Sequence, residues 1–145
     1  MGGLAFSSFG GSLATKLSFS KLVAFQGFRF PLELVLHSWV NEGVISSTMT
    51  WTGSNFDIVT GILALLAIPL VNHFKWMAWI VNGVGLALLL NVMRVVILSS
   101  PLSFSWHVDP PLELAFHIPY FLIVPVCVAG DLSGHLVLTR KLLEG

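Results

Sequence analysis

Charge is what this chain has least of: seven Lys and Arg and seven Asp and Glu in 145 residues, a charged fraction of 10%. A domain in water usually carries roughly a quarter of its residues as charges, so this supply is too small to cover such a surface. The formal net charge is zero and no run of Lys or Arg occurs, which leaves nothing to displace counterions from DNA or RNA and excludes nucleic acid as a partner. Cysteine is nearly absent. Cys127 stands alone, so neither an intrachain disulfide nor a CxxC redox or zinc motif can form. It lies in an apolar run and reads as a packing residue. The first residues also lack a basic stretch ahead of a compact apolar core, since Lys16 and Lys21 follow the apolar residues, and a cleaved signal peptide is not expected.

What is present is hydrophobicity, 55% of residues with a mean hydropathy of +0.88, grouped in runs near the roughly 20 residues that cross a bilayer. The expected fold class is therefore all-α, a polytopic transmembrane helical bundle of about four spans. The spans are placed at Leu22 to Val40, Phe56 to Phe74, Trp76 to Ser99 and Leu112 to Leu138. A Gly/Ser-rich segment, 1–21, precedes them and a tail, 139–145, follows. Pro31 predicts a kink between Gly27 and Pro31. Ile45 to Trp51 is a candidate hairpin, and Asn55 or Asp57 a candidate cap for the second span. Lys16, Lys21, Lys75, Arg140 and Lys141 fall on one side of this topology and Glu42, Asp57 and Asp109 on the other. That asymmetry places both termini in the cytoplasm of a bacterial inner membrane.

Polar residues inside the runs are the candidate site. Gln26, Arg29, Glu33 and His37 recur at helical spacing and form one stripe. At 1.5 Å rise per residue, counted from Asn41, His37, Glu33 and Arg29 lie about 6, 12 and 18 Å deep. The same count brings Asn91, Arg94, Glu113, His117 and Tyr120 to the outer half of the bundle. Two readings stand side by side. Intramembrane charges mark functional sites, but Arg29 bonded to Glu33, and Arg94 to Glu113 or Glu33, would also serve as buried glue. Asp131 and His135, again four residues apart, read as a wet helix end near the level of His73.

His37 and His117 share a depth and could ligate haem iron or, with Glu33 and Glu113, a divalent metal; no cofactor is the first expectation and these are the alternative. An enzyme would need a nucleophile beside a base. Cys127 is about 15 Å along its helix from His117 and about 12 Å from His135, out of reach of both. The string NVMRVV, Asn91 to Val96, resembles the Arg-bearing segment of exosortase-type membrane cysteine peptidases. In those the catalytic Cys precedes the Arg, whereas Cys127 follows Arg94, so the role does not carry over.

A wider resemblance covers the chain from Phe25 onward. FQGFRFPLELVLHSWVNEGVI, MTWTGSNFDIVTG, NGVGLALLLNV and PVCVAGDLSGHLVLTRKL are similar to a family of small uncharacterised bacterial multi-pass membrane proteins. The shared positions are Phe28, Arg29, Pro31, Glu33, His37, Gly53, Asn55, Phe56, Asp57, Gly134 and His135. The resemblance brings no function with it. It implies that Arg29, Glu33, His37, Asn55 and Asp57 are where to look, with Asn55 and Asp57 able to fold from their loop onto the stripe. The sequence thus predicts a non-catalytic membrane or complex-associated subunit, with membrane lipids, a membrane complex or a second copy as partners. The alternative is a membrane enzyme or carrier that binds a metal, haem or small ligand.

Overall fold

The computed structural model describes residues 8–101, 103, 104, 106, 107, 109, 111 and 123–144. Among these residues six α-helices follow one another: α1 Ser8–Lys16, α2 Phe19–Gln26, α3 Arg29–Asn41, α4 Asp57–Ala67, α5 Lys75–Ser99 and α6 Ile123–Glu144, with a 3₁₀ turn at Ser47–Met49 between α3 and α4. That turn lies within the expected hairpin of Ile45 to Trp51.

Local chemistry sets several boundaries. Ser18 caps α2 by accepting the Lys21 N–H on its side chain, which satisfies one of the donors a helix start leaves free. Between α2 and α3 the chain breaks at Gly27 and Phe28. Pro31 has no N–H to offer the Gly27 carbonyl, which instead accepts from Phe30 at 3.1 Å. Restarting the helix at Arg29 puts Pro31 in a first turn, where the missing donor costs nothing. Ahead of α4, Asn55 Oδ1 accepts the Asp57 N–H at 3.1 Å, and the Asp57 carboxylate sits in the first turn, where the helix dipole favours it. Just past the last residue of α4, Ala67, comes Pro69. At Gly43 the backbone turns with φ of 73°, which only a residue without Cβ adopts freely.

Two apolar clusters form at opposite ends. One gathers Leu22, Val23, Ala64, Val71, Val81 and Leu138; the other gathers Ile45, Met49 and Val95. On α5 the buried Asn82 and Gly85 lie between Val81 and Val95, and on α6 the buried Asp131 and His135 precede Val137 and Leu138. Apolar side chains also reach the outside, with Leu66 and Leu90 each 67% exposed, so hydrophobic composition alone does not measure the core.

The expected four spans are not found. Among the described residues one helix, Lys75–Ser99, is long and apolar enough to cross a membrane. With 11 residues, α4 rises about 16 Å, roughly half of a bilayer's hydrocarbon thickness of about 30 Å. The first proposed span is two helices, α2 and α3, with Gln26, Arg29 and Glu33 turned inward. The last falls partly outside the described residues, and its described part carries Asp131 and His135. Running hydropathy counts apolar residues whichever way they point and passes over the proline that follows α4. The helices instead meet through a buried ionic network. The multi-pass topology is therefore corrected to an all-α bundle of mostly short helices. With it fall the inner-membrane placement with cytoplasmic termini, the membrane-subunit role, and the lipid, membrane-complex and second-copy partners derived from it.

Candidate functional site: a buried arginine node

Arg29 opens α3 with its side chain wholly buried. Its Nη1 donates to Asp57 Oδ1 at 2.6 Å and to the Gly85 carbonyl at 3.3 Å. Its Nη2 meets Asp131 Oδ2 in an ion pair and His135 Nε2 at 3.0 Å. One guanidinium thereby ties α3 to α4, α5 and α6. The planar fork of arginine suits this, because it presents several donors in fixed directions.

The histidine's role follows from its other neighbours. Asn82 Nδ2 donates to Thr139 Oγ1 at 2.7 Å, and Thr139 Oγ1 donates to the His135 carbonyl at 2.8 Å. Asn82 Oδ1 is then the acceptor facing His135 Nδ1 at 2.9 Å. His135 carries its hydrogen on Nδ1 and accepts from Arg29 on Nε2, an assignment made by the network of donors and acceptors. A proton on Nε2 would face the guanidinium. Burial and the Arg29 charge hold His135 down to about 3, so the ring is neutral.

One turn beyond Arg29, Glu33 is 1% exposed. Asn55 Nδ2 donates to Glu33 Oε1 at 2.8 Å and to the Met49 carbonyl at 2.9 Å, while Glu33 Oε2 has no protein partner among the described residues. Burial pushes the Glu33 carboxyl up to about 8, the Asp57 charge adds to this, and the Asn55 hydrogen bond opposes it. Burial likewise raises Asp57, against the lowering effect of Arg29, and lowers the Arg29 guanidinium, against the raising effect of Asp57. With His135 neutral, one cation faces the carboxyl groups of Asp57 and Asp131, and Glu33 adds a third carboxyl one turn along α3.

Two small cavities adjoin the node and share Leu32, Asp57, Val92, Cys127 and Val128. One, of about 60 Å³, reaches Glu33 and Asn55; the other, of about 40 Å³, reaches Asp131. Organic ligands occupy pockets of about 300 Å³ or more, so these admit only water-sized species. Burial pushes the Cys127 thiol up, the direction opposite to that of a reactive thiolate.

Of the residues singled out in the sequence, Arg29, Glu33, Asn55 and Asp57 meet in this node. His37 lies one turn further along α3 and stacks on Trp51 at 4.4 Å between ring centres. Asn91 and Arg94 stand apart: Asn91 donates to the Ser54 carbonyl at 2.8 Å, and the exposed Arg94 donates to Asn91 at 2.9 Å and lies over Trp106. Glu113, His117 and Tyr120 lie outside the described residues, and with them the proposed His37 and His117 metal pair. Among the described residues no group of three His, Cys, Asp or Glu is placed to hold a metal ion, and the membrane metal or haem enzyme alternative falls with the multi-pass topology. Sequence reasoning set aside Asp131 and His135, although their four-residue spacing was the available signal. Asn82, Thr139 and Gly85 gave none.

Comparison with family models, with curated proteins and with solved structures finds no match to this chain. The resemblance to a family of small bacterial multi-pass membrane proteins finds no support there, and the multi-pass topology it implied is the one the fold corrects, with one described helix rather than four of span length and apolarity.

Proposed function

We propose that the chain is a helical module whose working part is the Arg29 node, a proton-responsive fastening that holds α3, α4, α5 and α6 in one arrangement. The observation that carries this reading is how the forked end of the guanidinium is spent, only its Nε being left without a partner among the described residues. All four Nη hydrogens are taken within the protein, by Asp57, Gly85, Asp131 and His135. An arginine that receives an anionic substrate keeps donors for it; this one spends its forked end on neighbouring helices, which is a fastening role.

Glu33 supplies the response to protons. A carboxyl held up to about 8 exchanges its proton near neutral pH, and ionising it adds negative charge beside Asp57. Asn55 links the two groups, donating to Glu33 from Nδ2 and accepting the Asp57 N–H on Oδ1. A change at Glu33 thus reaches the first turn of α4 and, through Asp57, the guanidinium.

Amide hydrogen exchange, corrected for intrinsic rates, tests this on either side of the Glu33 transition at about 8. Protection at the start of α4 and around Asp131 to His135 falls as Glu33 ionises, and the Glu33→Gln variant loses that dependence. Wild-type protection that stays flat through the transition sinks the reading.

A further inference from the structure

Away from the node, a groove of about 420 Å³ opens between α1, α2 and α6. Leu13, Leu17, Leu22, Phe25 and Val137 form its walls. An apolar cavity of about 150 Å³ takes up a benzene ring, so this one has room for a chain several times that size and falls in the range of small-molecule sites.

Its floor is unusual for a helix. Gly130 lies within α6, where glycine costs about 0.5–1 kcal/mol against alanine. A Cβ built at Gly130 meets nothing within 4 Å, so no close packing requires the glycine there, and its effect is to keep the groove open. Gly134 differs, because a Cβ there would lie 2.9 Å from the Phe25 ring.

One charged residue lines the groove, Lys21. It is exposed, and its ammonium makes no hydrogen bond or ion pair found among the described residues. An apolar trough with a single unpaired cation is complementary to one kind of molecule, a long apolar tail with an anionic head. We infer that this groove binds a monomeric medium-chain carboxylate, its tail against the leucines and Phe25 and its head on Lys21.

The probe is dodecanoate, titrated calorimetrically into the full chain below its micelle concentration. One-to-one binding is expected, and across shorter homologues the affinity rises about fourfold per buried methylene. Lys21→Glu weakens dodecanoate at least tenfold and favours dodecyltrimethylammonium, which has the same tail and the opposite charge. Gly130→Leu fills the groove and abolishes binding of both, with unfolding curves confirming that the fold is kept. Absence of binding, equal affinity in the three proteins, or a stable dimer that dodecanoate leaves intact each overturns the assignment, the last by giving the groove to a second copy.

Discussion

Asn55 holds Glu33 by one oxygen only: its Nδ2 donates to Oε1 at 2.8 Å, and Oε2 finds no protein donor among the described residues. A carboxylate wants several donors and a carboxylic acid fewer, so this half-satisfied, buried position favours the protonated form. The fastening is consequently built around an acid that is neutral when the protein is most stable.

Stability should therefore fall as pH rises through the Glu33 transition. Glu33 has a folded value of about 8 against 4.5 ordinarily. The folded chain binds the extra proton between these limits, and the contribution present below about 4.5 is lost as pH climbs through about 8. His135, held down to about 3 from 6.5, acts in the opposite sense: its contribution is present above about 6.5 and lost as pH falls through about 3. Asp57, raised by burial, acts in the same sense as Glu33. Above pH 6.5, then, the Glu33 slope stands without opposition from His135, at about 1.4 kcal/mol per pH unit at most. Urea midpoints across this range should decline in the wild type and decline less in Glu33→Gln.

Removing the guanidinium should cost more than removing any partner. Arg29→Met leaves Asp57 and Asp131 buried without their cation, a defect of about 3–5 kcal/mol. Adding Asp57→Asn and Asp131→Asn should recover part of the loss, because the residual charge goes with them. A single Arg29→Met variant with a wild-type midpoint contradicts the fastening role.

Two glycines on α5 make an internal control. A Cβ at Gly85 would overlap the His135 ring, whereas one at Gly83 meets nothing within 4 Å. Gly85→Ala should destabilise by about 1–3 kcal/mol through overpacking. Gly83→Ala should stabilise by about 0.5–1 kcal/mol through helix propensity. Thermal unfolding of both variants reads the two signs directly.

The partners of Glu33 should move its transition in opposite directions. Asn55→Ala removes the hydrogen bond that lowers it and should shift it upward. Asp57→Asn removes the charge that raises it and should shift it downward. A pH titration of the Glu33 side-chain carbon resonance by NMR measures both. Asn55→Ala should also lose about 1–3 kcal/mol of stability, since the Met49 carbonyl and the Asp57 N–H lose their partner.

Helical spacing already brought Gln26, Arg29, Glu33 and His37 to one face, and the resemblance of the segment around Asn55 and Asp57 pointed back to that face. Spacing is a local property of a 3.6-residue helix and needs no tertiary information. It could not say which acceptors Arg29 would find. Glu33, one turn away, was the natural choice, yet Asp57 comes from α4, Gly85 from α5 and Asp131 with His135 from α6. Depth counted along supposed spans placed Arg94 in the same outer layer as Glu33 and His37, but in the fold Arg94 points outward over Trp106.

The sequence by itself determined that the chain is helical, that it breaks near Pro31 and that an inward polar stripe runs along α3, because each follows from the backbone chemistry of neighbouring residues. Tertiary structure decided that one described helix rather than four has the length and apolarity of a span, and that Asp131 and His135 are interior. The reason is that burial and ion pairing belong to surfaces meeting across long stretches of chain, and no count along one helix contains the direction its neighbours come from.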